Sequence, residues 1–256
     1  MKIGILIPST SNGRDWKSYK ESYLFQNTLK TFFLTYDNEH EYIFYIGIDN
    51  NDPIYDTDET KQNLKKFVNC FQNISIEFIY MENIEKGHLT LMWNILFRIA
   101  YDNNCDYFYQ CGDDIEFKTK GWVNNCIGVL QNYNNLGLTG PVNENPYILT
   151  QTFVSRKHME LFGYFFPGQI KNWYCDNWIN EIYKLINSFY PLTNHLCINI
   201  GGIPRYNIGN LEKNNDWALV ENHQNEEYKS KITRLEEECL QIIKNDYHRI
   251  VNKLIS

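Results

Sequence analysis

The sequence predicts an α/β fold in which a mainly parallel central sheet, flanked by helices, is followed by a C-terminal amphipathic helix. Three observations lead there. Short apolar runs alternate with longer amphipathic stretches, the order that strands and crossover helices produce. Polar turns carrying aspartate follow the apolar runs directly. The last segment repeats apolar residues at helical spacing between charges.

Taken in order, Ile3 to Pro8 reads as a buried strand and Ser9 to Asp15 as the polar turn after it. A helix is expected over about Tyr19 to Phe33, then a strand from Tyr42 to Ile48 that runs into Asp49-Asn50-Asn51-Asp52-Pro53. A helix from Asp58 to Cys70 and a strand from Ile74 to Met81 form a second unit, and Gly87 opens the helical stretch HLTLMWNILFRIAYDN. Two such units imply a doubly wound sheet. The fourth strand, Tyr107 to Cys111, ends in Gly112-Asp113-Asp114, with Ile115-Glu116-Phe117 and a helix from near Gly121 beyond it. Ligands of open α/β sheets bind at the carboxyl ends of strands, which puts Ser9, Asp49 and Asp113-Asp114 on one rim.

The second half is less regular. Short strands are expected near Leu136 to Gly140 and Ile148 to Val154, with a helix near Arg156 to Phe162 and then the aromatic stretch GYFFPGQIKNWYCDNW. Trp178, Ile182 and Leu185 set a helical period over Asn177 to Ser188, which leaves Asp176 at that helix's N-terminus. From Glu226 to Ser256 the residues Ile232, Leu235, Cys239, Ile242 and Ile243 share one helical face. That face packs on the body, with a homodimer contact as the alternative. The organisation expected is one domain over 1–225, divided into 1–118 and 119–225, plus a helical tail over 226–256.

Composition narrows the function. With 256 residues, 43% of them hydrophobic, the chain can bury a sizeable core. A formal net charge of -7 argues against nucleic acid as a partner, because phosphate-backbone binders need a basic face. The seven cysteines are odd in number, scattered and without a C-x-x-C pair, so a reducing compartment fits better than a disulfide framework. No apolar run reaches membrane-spanning length and the first is too short for a signal peptide, which makes a cytoplasmic setting the expectation.

Asp113-Asp114 is the sharpest chemical feature. Adjacent carboxylates in a tight turn after a buried strand suit Mn²⁺ or Mg²⁺, hard cations that take oxygen ligands and keep positions for substrate phosphates. A solvated turn is the plainer alternative. Asp176 is the second candidate, as a general base whose carboxyl would be raised by an aromatic pocket, with helix capping as the rival role. Lys86 and His88 flank Gly87 ahead of a helix, where backbone N–H groups and a cation suit a phosphate or ribose. Arg205, in GGIPRYNIG, has the planar fork for a diphosphate. Surface ion pairing is the alternative for each.

Over about residues 1 to 210 this arrangement resembles the GT-A class of glycosyltransferases, especially the family 2-like members. The resemblance rests on IGILIPST, on IGIDNND and on YFYQCGDDIEF. It implies a Rossmann-like GT-A fold and transfer of a sugar from a nucleotide-diphosphate donor, a UDP-sugar by class frequency, to a glycan or protein acceptor. Carried across, Pro8, Ser9 and Thr10 line the nucleoside pocket, Asp49 bonds the base or ribose, Asp113 touches the ribose or donor sugar, and Asp114 ligates the metal. In inverting members an acid placed like Asp176 deprotonates the acceptor, and some members add a C-terminal histidine to the metal, here His223 or His195. The usual Asp-any-Asp pattern is replaced by Cys111-Gly112 before two acids, which leaves open which of the pair holds metal. Viral and microbial relatives decorate surface glycans; for a viral chain the setting would be the host cytoplasm. Two other readings are a nucleotide-sugar or glycan-binding protein without turnover, and a sugar-phosphate nucleotidyltransferase. The second lacks its Gly-rich basic loop, since STSNGRD has one glycine.

Overall fold

A computed structural model describes residues 1–143, 145, 147–201 and 226–255. The strands are β1 (Lys2–Ser9), β2 (Glu41–Ile48), β3 (Ile74–Tyr80), β4 (Tyr107–Gln110), β5 (Ile115–Phe117), β6 (Leu138–Val142), β7 (Thr152–Ser155) and β8 (Phe189–Asn199). The α-helices are α1 (Lys30–Thr35), α2 (Asp58–Val68), α3 (Leu89–Asp102), α4 (Trp122–Asn132), α5 (Arg156–Phe162), α6 (Cys175–Leu185) and α7 (Glu226–Ile255). The strands form one sheet in the order β3-β2-β1-β4-β7-β6-β8-β5.

β3, β2, β1 and β4 are mutually parallel, so they are covered on both faces and read as nearly continuous apolar runs. Alternate side chains serve different layers. Ile3, Ile5, Ile7, Phe44 and Tyr109 enter a core with Phe32 and Trp122 on one side, while Leu6, Ile43, Tyr45 and Phe108 meet Leu96, Phe97 and Trp178 on the other. Beyond β4 the direction changes: β7 runs antiparallel to β4 and to β6, and β8 is parallel to β6 and antiparallel to β5.

Three elements differ from the sequence expectation. The helix expected over Tyr19 to Phe33 is instead a 3-10 turn (Tyr19–Glu21), a π-helical turn (Leu24–Leu29) and α1. Its threonines act as a neighbour for the short strand β5: the Ile115 N–H donates to the Thr28 hydroxyl at 3.1 Å, and the Phe117 N–H donates to that of Thr31 at 3.0 Å. The strand expected from Ile148 begins at Thr152, because the side chain of Asn180 occupies the backbone of Leu149, accepting from its N–H and donating to its carbonyl, both at 2.8 Å. β8 has no counterpart in the sequence expectation.

α7 packs on the body. Cys239, Ile243 and Ile250 are buried on it, and the buried carboxylate of Asp246 accepts from Trp178 Nε1 at 3.0 Å and from the Tyr164 hydroxyl at 2.9 Å. All seven cysteines are free thiols. Among the described residues no helix is long and apolar enough to cross a membrane.

Candidate active site

Because β1 lies between β2 and β4 and all three are parallel, their carboxyl ends deliver Ser9, Asp49 and Asp113 to one edge. A cleft of about 590 Å³ opens there. It is lined by Pro8, Ser9, Thr10 and Asp49, by Asp113 and Asp114, and by Thr150, Gln151, Trp173, Tyr174 and Asp176. The residues singled out in the sequence as nucleoside pocket, acid pair and general base therefore share one cavity.

Hydroxyls fix Asp113 and Asp49. The Ser9 hydroxyl donates to Asp113 Oδ2 at 2.6 Å, joining the ends of β1 and β4. Thr10 donates to Asp49 Oδ2 at 3.0 Å, and the Asn12 side-chain amide reaches the same oxygen at 3.0 Å. Asp52 has a separate role. It is 1% exposed and accepts from the N–H groups of Ser11, Ile54 and Tyr55 and from the Thr10 and Ser11 hydroxyls, so it organises the two loops from within.

The turn after β4 is shaped by Gly112. A Cβ at that position would lie 2.6 Å from Asp114 Oδ1, so only glycine leaves that carboxylate its place. The Ile200 N–H, just beyond β8, donates to the Asp114 carbonyl at 2.9 Å and holds the turn from the other side. Asp113 is buried and Asp114 half-buried, both on the cleft. Two carboxylates of hard oxygen donors fit a divalent cation whose remaining positions go to diphosphate oxygens and water. Among the described residues no three His, Cys, Asp or Glu side chains gather into a metal-enclosing group. Glu116 is ion-paired with Lys118 and does not line the cleft.

Asp176 lies in the first turn of α6, whose N-cap is Tyr174 with φ 70° and no capping side chain. Asp176 therefore stands two residues past the N-cap, as the acid of the helix's first turn. Its carboxylate is enclosed by protein except toward the cleft, and this desolvation pushes its pKa up to about 7, opposed by the Cys175 thiol that donates to Oδ1 at 3.7 Å. Asn180, one turn along α6 and fully buried, donates to the Asp176 carbonyl at 2.8 Å and so ties this helix start to the Leu149 backbone beside Thr150 and Gln151.

Other sequence candidates fall elsewhere. Gly87 and Leu89 line the cleft, but Lys86 is exposed and outside it, and His88 is turned toward the Gly168 carbonyl at 3.0 Å. Both ring nitrogens of His195 are engaged away from the cleft, with Thr119 at 3.1 Å and Asn125 at 2.6 Å. Arg205 and His223 lie outside the described residues. Arg14, Trp93 and Gln151 were not singled out in the sequence yet line the cleft; Trp93 Nε1 donates to the Cys111 carbonyl at 3.4 Å.

No protein-family model matches the chain, and no curated protein matches it in sequence. Solved structures do match. S. aureus TarS, a GT-A-like glycosyltransferase, aligns with a TM-score of 0.51 at 12% identity, covering 77% of this chain and 36% of that one. TarS 1-349 in complex with UDP gives 0.52 at 13% identity over 77% of this chain, and its complex with UDP-GlcNAc gives 0.53 at 13% over 79%. The chain has a GT-A-like fold. It spans 60% of each of those TarS 1-349 structures. At such identity the likeness is one of fold.

Proposed function

We propose that the chain is a metal-dependent glycosyltransferase that moves a sugar from a nucleotide-diphosphate donor, a UDP-sugar, to a hydroxyl of a glycan or protein acceptor with inversion. The observation that carries this reading is the one cleft whose lining joins Ser9, Thr10 and Asp49 to Asp113-Asp114 and to Asp176. The GT-A-like fold and the UDP and UDP-GlcNAc complexes of TarS support the same class of donor.

In this reading Pro8, Ser9, Thr10 and Asp49 hold the nucleoside, and Asp113 faces the ribose and donor sugar. Asp114, with Asp113, would hold Mn²⁺ or Mg²⁺. Such a cation, when bound, neutralises charge on the departing diphosphate as a Lewis acid. The Asp176 carboxylate takes the proton from the acceptor hydroxyl. That oxygen forms its bond to the donor C1 while the bond from C1 to the phosphate oxygen breaks, and UDP leaves with the electron pair. Attack on the face opposite the diphosphate inverts the anomeric centre. A carboxyl titrating near neutrality is suited to accept this proton.

The test is UDP release from UDP-sugars with Mn²⁺ across a panel of sugar and peptide acceptors. A rate at least about a hundred-fold lower in Asp114→Ala than in wild type is expected for the loss of a principal charge-stabilising ligand. An undiminished rate in that variant would overturn the assignment.

A further inference from the structure

Arg14 stands out in an acid-rich cleft. Asp49, Asp113, Asp114 and Asp176 all line it, and Arg14 is the one cationic side chain among its described lining residues. An arginine so placed would ordinarily be claimed by a carboxylate, because a bidentate pair is the strongest bond its fork can make. Arg14 makes no ion pair among the described residues. Its guanidinium rests instead on aromatic faces, 5.1 Å from the centroid of Tyr23 and 5.7 Å from that of Trp16, and its buried Nε has no hydrogen-bond partner.

Asp49 and Asp52 take their hydrogen bonds from Thr10, Ser11, Asn12 and the N–H groups at 54 and 55, and neither is ion-paired with Arg14. The Arg14 N–H closes the same turn on the Ser11 carbonyl at 3.1 Å, so its backbone is anchored to that loop. A guanidinium shelved on rings and excluded from ion pairs is a pre-oriented donor set for an anion from solution.

We propose that Arg14 is a diphosphate-binding residue, taking charge from the phosphates of the nucleotide on the side away from the acid pair. This rests on the donor reading given above and adds to it a cation that the protein itself supplies. A guanidinium only donates, and the acceptors of a nucleotide sugar that carry formal charge are its phosphate oxygens. Arg14 would also offset part of the repulsion between the cleft acids and the dianion before a metal arrives.

The experiment is calorimetric titration of UDP and of uridine into wild type, Arg14→Gln and Arg14→Lys, in EDTA and in Mn²⁺. Loss of one charge-assisted contact should weaken UDP about ten- to hundred-fold in Arg14→Gln while uridine affinity stays unchanged, and the UDP loss should persist in EDTA. Arg14→Lys should recover only part, since an ammonium keeps the charge and not the fork. Equal losses for uridine and UDP would assign Arg14 to the base and overturn the proposal, as would unchanged UDP affinity in a folded Arg14→Gln. Failure of the wild type to bind UDP or any other nucleoside diphosphate would sink the donor reading itself, a separate outcome.

Discussion

The hydroxyl of Ser9 donates to Asp113 Oδ2 at 2.6 Å, and this bond crosses from the end of β1 to the end of β4 in a buried setting. Ser9→Ala removes a contact to a charged acceptor, which is expected to lower unfolding free energy by about 1.5–3 kcal/mol and to weaken UDP binding several-fold. Denaturant titration and calorimetry on the same preparations check both effects.

Gly112→Ala places a methyl group where Asp114 Oδ1 now sits, since the added Cβ would lie 2.6 Å from that oxygen. The carboxylate must rotate away. Mn²⁺-dependent UDP binding is expected to fall at least about ten-fold, with metal-free binding little changed. Titrations with and without EDTA read the difference.

Asp176→Asn keeps the shape of the side chain and removes the proton acceptor. Transfer is expected to fall about 10²- to 10⁴-fold while UDP affinity holds. The wild-type rate should rise with pH to a midpoint near the carboxyl's raised value of about 7, and the variant should lack this limb. Stability carries the opposite sign. The folded protein holds this proton more tightly than the unfolded chain, so the charge costs stability increasingly as pH climbs from about 4 through about 7. Asp176→Asn should therefore raise the melting temperature more at pH 8 than at pH 5.

His158 supplies an acid-side sensor of folding. It is fully enclosed between the Tyr183 hydroxyl at 2.8 Å and the Phe165 carbonyl at 3.0 Å, and burial pulls its pKa down to about 4. The unfolded chain binds a proton near pH 6.5 that the folded one refuses, so stability is lost as pH falls from about 6.5 toward 4. His158→Gln should flatten that decline, measured by denaturation midpoints between pH 7 and 4.5.

Asp246→Ala strips the partner from Trp178 Nε1 and the Tyr164 hydroxyl, leaving two donors beneath α7 without their acceptor. A loss of about 2–5 kcal/mol is expected, with α7 loosening. Thermal melts and hydrogen exchange across Glu226–Ile255 should report it, and a melting temperature equal to wild type would mean that α7 contributes little to the fold.

The parallel half is legible in the sequence because parallel strands covered on both faces must be apolar nearly throughout. Ile3–Pro8, Tyr42–Ile48 and Tyr107–Cys111 were found within one residue of β1, β2 and β4, with the polar turns that end them. β8 was missed because it is only partly covered, Thr193 and Asn194 are exposed within it, and its pairing with β6 shifts register at Pro141/Val142. Nothing local encodes that partnership. Lys86 and His88 looked apt because Gly87 does reach the cleft, yet adjacency in sequence does not aim side chains, and His88 turns to Gly168. Arg14 has no local signal for the converse reason, since its shelf of Trp16 and Tyr23 exists only once the chain is folded.

The reversal of direction at β7 has a consequence for the cleft. The acids and hydroxyls of β1, β2 and β4 reach the rim from strand ends, whereas Thr150 and Gln151 reach it from the segment that enters a strand, opposite Gln110. The segment entering β7 and the start of α6 take no part in the pairings of the parallel half, which β1 to β4 make among themselves. Variation in that segment would therefore reshape one side of the cleft while the registers of the parallel strands stay as they are.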